Sequence, residues 1–114
     1  MTTSNGYVTR EKLFANPVKR RFADEVIDGL GKFRLRSLSA GEIIKYGNES
    51  EDKANEGKEG LLLIIYSAVD GDGNQLFTKE DLDWLLEQDA KLIKQLAEAC
   101  VTHCNIYSND AKKN

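Results

Sequence analysis

Hydrophobic residues are spaced differently in successive stretches of the chain, and the spacing names the elements. Thr9 to Phe14 reads as one or two helical turns with Thr9 as N-cap. Pro17 closes that piece, because the residue before a proline avoids the α region. Phe22, Val26 and Ile27 then precede the turn-rich Asp28-Gly29-Leu30-Gly31, and Phe33-Arg34-Leu35-Arg36 alternates apolar with basic, as a half-buried strand does. Together they predict a β-hairpin over about residues 20–38. Ser39-Ala40-Gly41-Glu42 is a capping box, with Leu38 and Ile43 flanking it at the spacing of a hydrophobic staple. It predicts a helix over about residues 39–54, with Ala40, Ile43 and Ile44 on one face. From Gly47 to Lys58 the pattern dissolves into charge, which suits either a solvated helical extension or a mobile linker.

Leu61 to Val69 is apolar on every side. Periodicity does not separate a buried strand from a central helix here; leucine content and length favour a helix over about residues 59–69. An element of this kind has to be enclosed by its neighbours or by another subunit. Leu82, Leu85 and Leu86 form a stripe at three-and-four spacing, predicting a helix over about residues 78–88. Leu92, Ile93, Leu96, Ala97, Cys100, Val101 and Cys104 form a second stripe over about residues 90–104, opposite Lys91, Lys94, Gln95 and Glu98. Trp84 lies beside the first stripe and is either a partner anchor or the edge of the core.

Between these helices, Asp70, Asp72 and Asn74 match the first, third and fifth positions of an EF-hand calcium loop. Gln75 stands where glycine should make the sharp turn, and Asp81 stands where a bidentate glutamate should close the shell. Asp81 has the shorter reach. A second explanation uses more residues: Thr78 with Asp81 forms a capping box, Phe77 and Leu82 form its staple, and the Asp-Gly steps before them supply a turn. The turn and cap are the favoured interpretation. A calcium-responsive module with Asp70, Asp72, Asn74 and Asp81 as ligands is the alternative, and an unrelated small scaffold or regulatory domain is another.

At 114 residues the chain holds one small domain. Its 40% hydrophobic and 31% charged content is that of an ordinary globular protein, and a thin core leaves room for stability gained from a partner or from self-association. A formal charge of −3 gives no electrostatic reason to expect nucleic acid or an acidic membrane as ligand. Lys19-Arg20-Arg21 and Lys32, Arg34 and Arg36 cluster all the same, and read as a solvated strand face. The start of the chain lacks the pattern of a signal peptide, and the Leu61–Tyr66 run is too short to span a bilayer. Cys100 and Cys104, with His103, offer too few ligands for zinc and fall on an apolar stripe, where cysteine behaves as a small hydrophobe. No phosphate loop, dinucleotide fingerprint or nucleophile elbow is visible. The carboxylates sit in caps, turns and exposed faces, which argues against an enzyme without excluding one, and no cofactor is expected.

The order of these pieces resembles the tail assembly chaperones of long-tailed bacteriophages and prophages. The resemblance runs over nearly the whole chain. Thr9-Arg10-Glu11-Lys12-Leu13-Phe14 leads to the hairpin, then Lys32-Phe33-Arg34-Leu35-Arg36-Ser37-Leu38-Ser39-Ala40-Gly41-Glu42. The apolar segment runs into Val69-Asp70-Gly71-Asp72-Gly73-Asn74-Gln75-Leu76-Phe77-Thr78-Lys79-Glu80-Asp81, and the chain closes on a leucine-rich helix near Asn105-Ile106. It implies an α+β fold, mainly α-helical with an N-terminal β-hairpin: a segment over residues 1–17, one domain over 18–106 and a flexible tail over 107–114. It also implies a non-enzymatic protein of the host bacterial cytoplasm, absent from the mature virion. Such a protein coats the tape measure protein, helps recruit the major tail tube protein and self-associates. Leu61, Leu62, Ile65, Trp84, Leu85, Leu92 and Leu96 are the candidate partner-binding residues. Lys112-Lys113-Asn114 is compatible with an adenine-rich frameshift site that would yield a longer product.

Overall fold

The computed structural model describes residues 6–15 and 19–104. Along the chain these form α1 (Arg10–Ala15), β1 (Phe22–Ile27), β2 (Gly31–Arg36), α2 (Ala40–Glu51), α3 (Glu59–Ser67), β3 (Ala68–Val69), α4 (Leu82–Leu86) and α5 (Ala90–Cys104). The fold is α+β and mostly helical, with one antiparallel three-stranded sheet in the order β1-β2-β3. Thr9 caps α1 as its sequence suggests: its Oγ1 accepts from the Lys12 amide at 3.1 Å. Pro17 and the expected tail over 107–114, with Lys112 and Lys113, lie outside the described residues.

The hairpin pairs Phe22 with Arg36 through Ile27 with Gly31. Gly29, at φ +80°, takes the left-handed turn position that a Cβ would disfavour. Side chains alternate between faces along each strand. Ala23, Ile27, Phe33 and Leu35 turn towards the helices, and Phe22, Asp24, Val26, Lys32 and Arg34 turn away. The basic residues are not a freely solvated face. Arg34 lies over the Phe22 ring at 4.3 Å and donates to the Gly71 carbonyl at 2.6 Å. Arg20 and Arg36 both bond the carboxylate of Glu42, at 2.9 and 3.3 Å, and Arg21 donates to the His103 carbonyl at 3.0 Å.

Every residue from Leu61 to Val69 is buried, and the enclosure is made within the chain. Leu63, Ile64 and Ala68 meet Ile27 and Leu35 from the sheet and Leu96, Cys100 and Cys104 from α5. Leu61 and Ile65 meet Leu85 of α4 in a smaller cluster on the other side. The helix ends at Ser67, two residues before the predicted limit. Ala68 and Val69 extend and pair with Leu35 and Arg34, while Ser67 Oγ donates to the Arg36 carbonyl at 2.9 Å. A free sheet edge and the β-branched Val69 favour extension over another helical turn. The predicted hairpin thereby gains a third strand.

The Ser39–Glu42 capping box forms, with Ser39 N–H donating to Glu42 at 2.9 Å and Glu42 N–H donating to Ser39 at 3.1 Å. The helix that follows turns opposite to its apolar pattern. Glu42, Tyr46, Glu49 and Ser50 face the domain, whereas Ala40 is exposed and Ile44 keeps 64% of its surface in water. Glu42 is held by the two arginines, Tyr46 packs on the core, and Glu49 accepts from the Tyr66 hydroxyl at 2.9 Å. Those polar bonds outrank the hydrophobic gain of turning Ile44 inward. After α2 the charged stretch is neither a long helix nor a free linker. It is a 3₁₀ turn over Lys53–Asn55, capped by Asp52, whose side chain accepts from Ala54 N–H at 3.0 Å.

Candidate functional site

The acidic loop is built as a turn that feeds a helix. One carboxylate oxygen of Asp70 accepts from the backbone N–H groups of Asp72 and Asn74, at 2.9 and 3.0 Å. Gly73, at φ +88°, closes the turn and donates to the Asp70 carbonyl at 2.9 Å. The backbone bond from Asn74, with lesser help from Asp72, holds the Asp70 carboxyl below the usual range. Asp81 accepts from Thr78 N–H at 2.8 Å in the second capping box. A 3₁₀ turn over Lys79–Asp81 precedes α4, so that helix is shorter than the predicted 78–88. Among the described residues, no three His, Cys, Asp or Glu side chains are grouped to hold a metal. Asp70 and Asp81 each engage one carboxylate oxygen with backbone N–H groups, as the turn-and-cap interpretation expects.

Cys100 and Cys104 are buried and unpaired. Burial pushes the Cys100 thiol up to about 12 and raises that of Cys104, so both stay neutral. Cys104 Sγ lies 3.8 Å from Ser67 Oγ. His103 points elsewhere, its Nε2 2.9 Å from the Arg21 carbonyl. The three residues do not converge.

The candidate partner-binding residues separate by burial. Leu61, Leu62, Ile65, Leu85 and Leu96 are enclosed in the core, and Leu92 is partly covered. In this conformation they hold the domain together and present little to another molecule. Trp84 is different. It leaves 56% of its surface exposed, with its ring centroid 6.2 Å from that of Phe77. Trp84 and the exposed Leu86 stand on either shoulder of buried Leu85. On the Leu86 side opens a shallow cleft of about 270 Å³ between α4 and α5, floored by Leu61, Leu85 and Ile93 and edged by Leu86 and Lys94. An exposed aromatic on the same short helix that edges an apolar trough has the make-up of a docking anchor. Leu86 and Ile93 belong to this surface although sequence reasoning passed them over. Their positions in the two leucine-rich stripes were the available signal, but a stripe alone does not say which member stays uncovered.

Among the described residues, no helix is long and apolar enough to cross a membrane. No protein-family model matches the chain, and no curated protein sequence does. Among solved structures, the tail assembly chaperone of bacteriophage HK97 is similar, with a TM-score of 0.58 and 17% sequence identity over 82% of this chain and 95% of that one. At that identity the likeness is one of fold.

Proposed function

We propose that this chain is a phage tail assembly chaperone that binds the tape measure protein, keeps it soluble and promotes assembly of the tail tube around it. The observation that supports this most is the shared fold with the HK97 tail assembly chaperone over 95% of that protein's length. The surface around Trp84 fits the task. An amphipathic helix laid into the cleft between α4 and α5 would bury its apolar face against Trp84, Leu86 and Ile93. On this reading the chain acts by docking and performs no chemistry. It works in the host bacterial cytoplasm, associates with further copies of itself and with the major tail tube protein, and leaves before the virion is complete.

Co-expression with the tape measure protein of the same genome tests the proposal. The expected result is a soluble complex that purifies through either partner. The Trp84→Ala/Leu86→Ser variant should keep its circular dichroism spectrum and melting temperature while losing the complex. A tape measure protein equally soluble without the chain, or one retained by the folded variant, overturns the reading.

A further inference from the structure

Among the described residues the edge of β1 is open, and its surroundings specify what pairs with it. Sheet order places β1 at the margin. The Ser37 amide donates to the Arg21 carbonyl at 2.8 Å, one rung beyond the strand. In an antiparallel ladder, alternate residues make the inter-strand bonds. Arg21, Ala23, Glu25 and Ile27 therefore spend their backbone groups on β2, while Phe22, Asp24 and Val26 direct theirs away from it. The Val26 carbonyl is met by the Gln95 side-chain amide at 3.2 Å. The outward N–H and C=O groups of Phe22 and Asp24 have no such cover among the described residues.

A groove of about 520 Å³ runs along this edge between β1 and α5, lined by Ala23, Asp24, Glu25, Gln95, Glu98 and Thr102, with Arg21 and His103 at one end. Its charge is unbalanced. Glu25 and Glu98 face it against Arg21, whose guanidinium is already bonded to the His103 carbonyl, while the Asp24 side chain turns to the strand's other face. Among the described residues Glu25 is met by the neutral Gln95 amide, at 2.8 Å. On the opposite face of the same strand, Phe22 and Val26 leave 43% and 61% of their surfaces exposed, with Asp24 between them and Arg34 over the Phe22 ring. A strand added here would alternate between these two environments, one acidic through Glu25 and Glu98 and one in which the apolar Phe22 and Val26 flank Asp24.

We propose that the β1 edge is a binding site for an extended segment of another protein in which basic and apolar residues alternate. The segment adds as a fourth strand. Its main chain bonds Phe22 and Asp24, its basic side chains drop towards Glu25 and Glu98, and its apolar ones lie against Phe22 and Val26. Charge excludes β1 of a second copy as the occupant, since antiparallel pairing would set Asp24 and Glu25 of each copy close to those of the other. The site is separate from the Trp84 surface and stands whether or not the chaperone reading holds.

The probe is a blocked eight-residue peptide of alternating lysine and valine, titrated into the full chain by NMR. Expected are shifts confined to β1 and the facing side of α5, and slowed hydrogen exchange at the Phe22 and Asp24 amides. N-methylating the peptide amides that point at β1 should weaken binding at least tenfold; methylating the intervening set should not. Glu98→Gln, on the exposed side of α5, should weaken binding several-fold without lowering the melting temperature. A glutamate–valine peptide that binds equally well, indifference to which amides are methylated, shifts centred away from β1, or no binding at millimolar peptide each overturns the proposal.

Discussion

Gly60 shows how one missing side chain sets the spacing of two helices. A Cβ placed there would lie 3.1 Å from Ala97 Cβ, closer than ordinary packing tolerates. Gly60→Val should therefore cost about 1–3 kcal/mol by overpacking, although valine is the better helix former. In chemical denaturation, Ala97→Gly should cost less in the Gly60→Val background than alone, because it reopens the crowded contact. Titration is a second residue-scale consequence. Burial, and then the bond to Glu49, pushes the Tyr66 hydroxyl up to about 12 from 10.0, and burial pushes the Cys100 thiol up to about 12 from 9.0. The folded state thus favours the protonated forms. Their contribution is complete below the ordinary values and is lost as pH climbs from about 9 towards 12. Urea midpoints should hold steady up to pH 8 and fall above pH 9, and Tyr66→Phe should reduce the fall.

At the scale of elements, α3 and α2 are opposites. Leu63 is fully buried, so Leu63→Ala should cost about 2–5 kcal/mol. Ile44 faces water, so Ile44→Ser should change stability by no more than about 0.5 kcal/mol. Equilibrium unfolding of the two variants checks the contrast. The same pair marks how much the sequence disclosed. The caps at Ser39 and Thr78, the alternation at Phe33–Arg36, the leucine stripe of α5 and the all-apolar run at Leu61–Val69 are local signals, and each has its counterpart in the structure. What stayed hidden was tertiary. The inward turn of α2 depends on Arg20 and Arg36 reaching Glu42, and on Tyr66 reaching Glu49, from distant elements. The strand at Ala68–Val69 depends on an open edge of β2. Half of the candidate surface was legible in the same way: Trp84 is conspicuous in composition, but its exposure follows from Leu85 being the residue that α4 buries.

For the whole molecule, one cluster joins Ile27 and Leu35 of the sheet to Leu63, Ile64 and Leu96 of the helices. Sheet and helices should consequently melt together, and the α3 amides should exchange with deuterium only through global unfolding, whereas those of α1, whose side chains are all exposed, should exchange at once. Mass spectrometry of pulse-labelled protein distinguishes the two classes. The arrangement also has a direction in time. The greasy middle of the polypeptide leaves the ribosome before the residues of α5 that roof it. During synthesis there is an interval in which Leu63 and Ile64 lack their lid, so the newborn chain itself needs shelter until α5 has emerged.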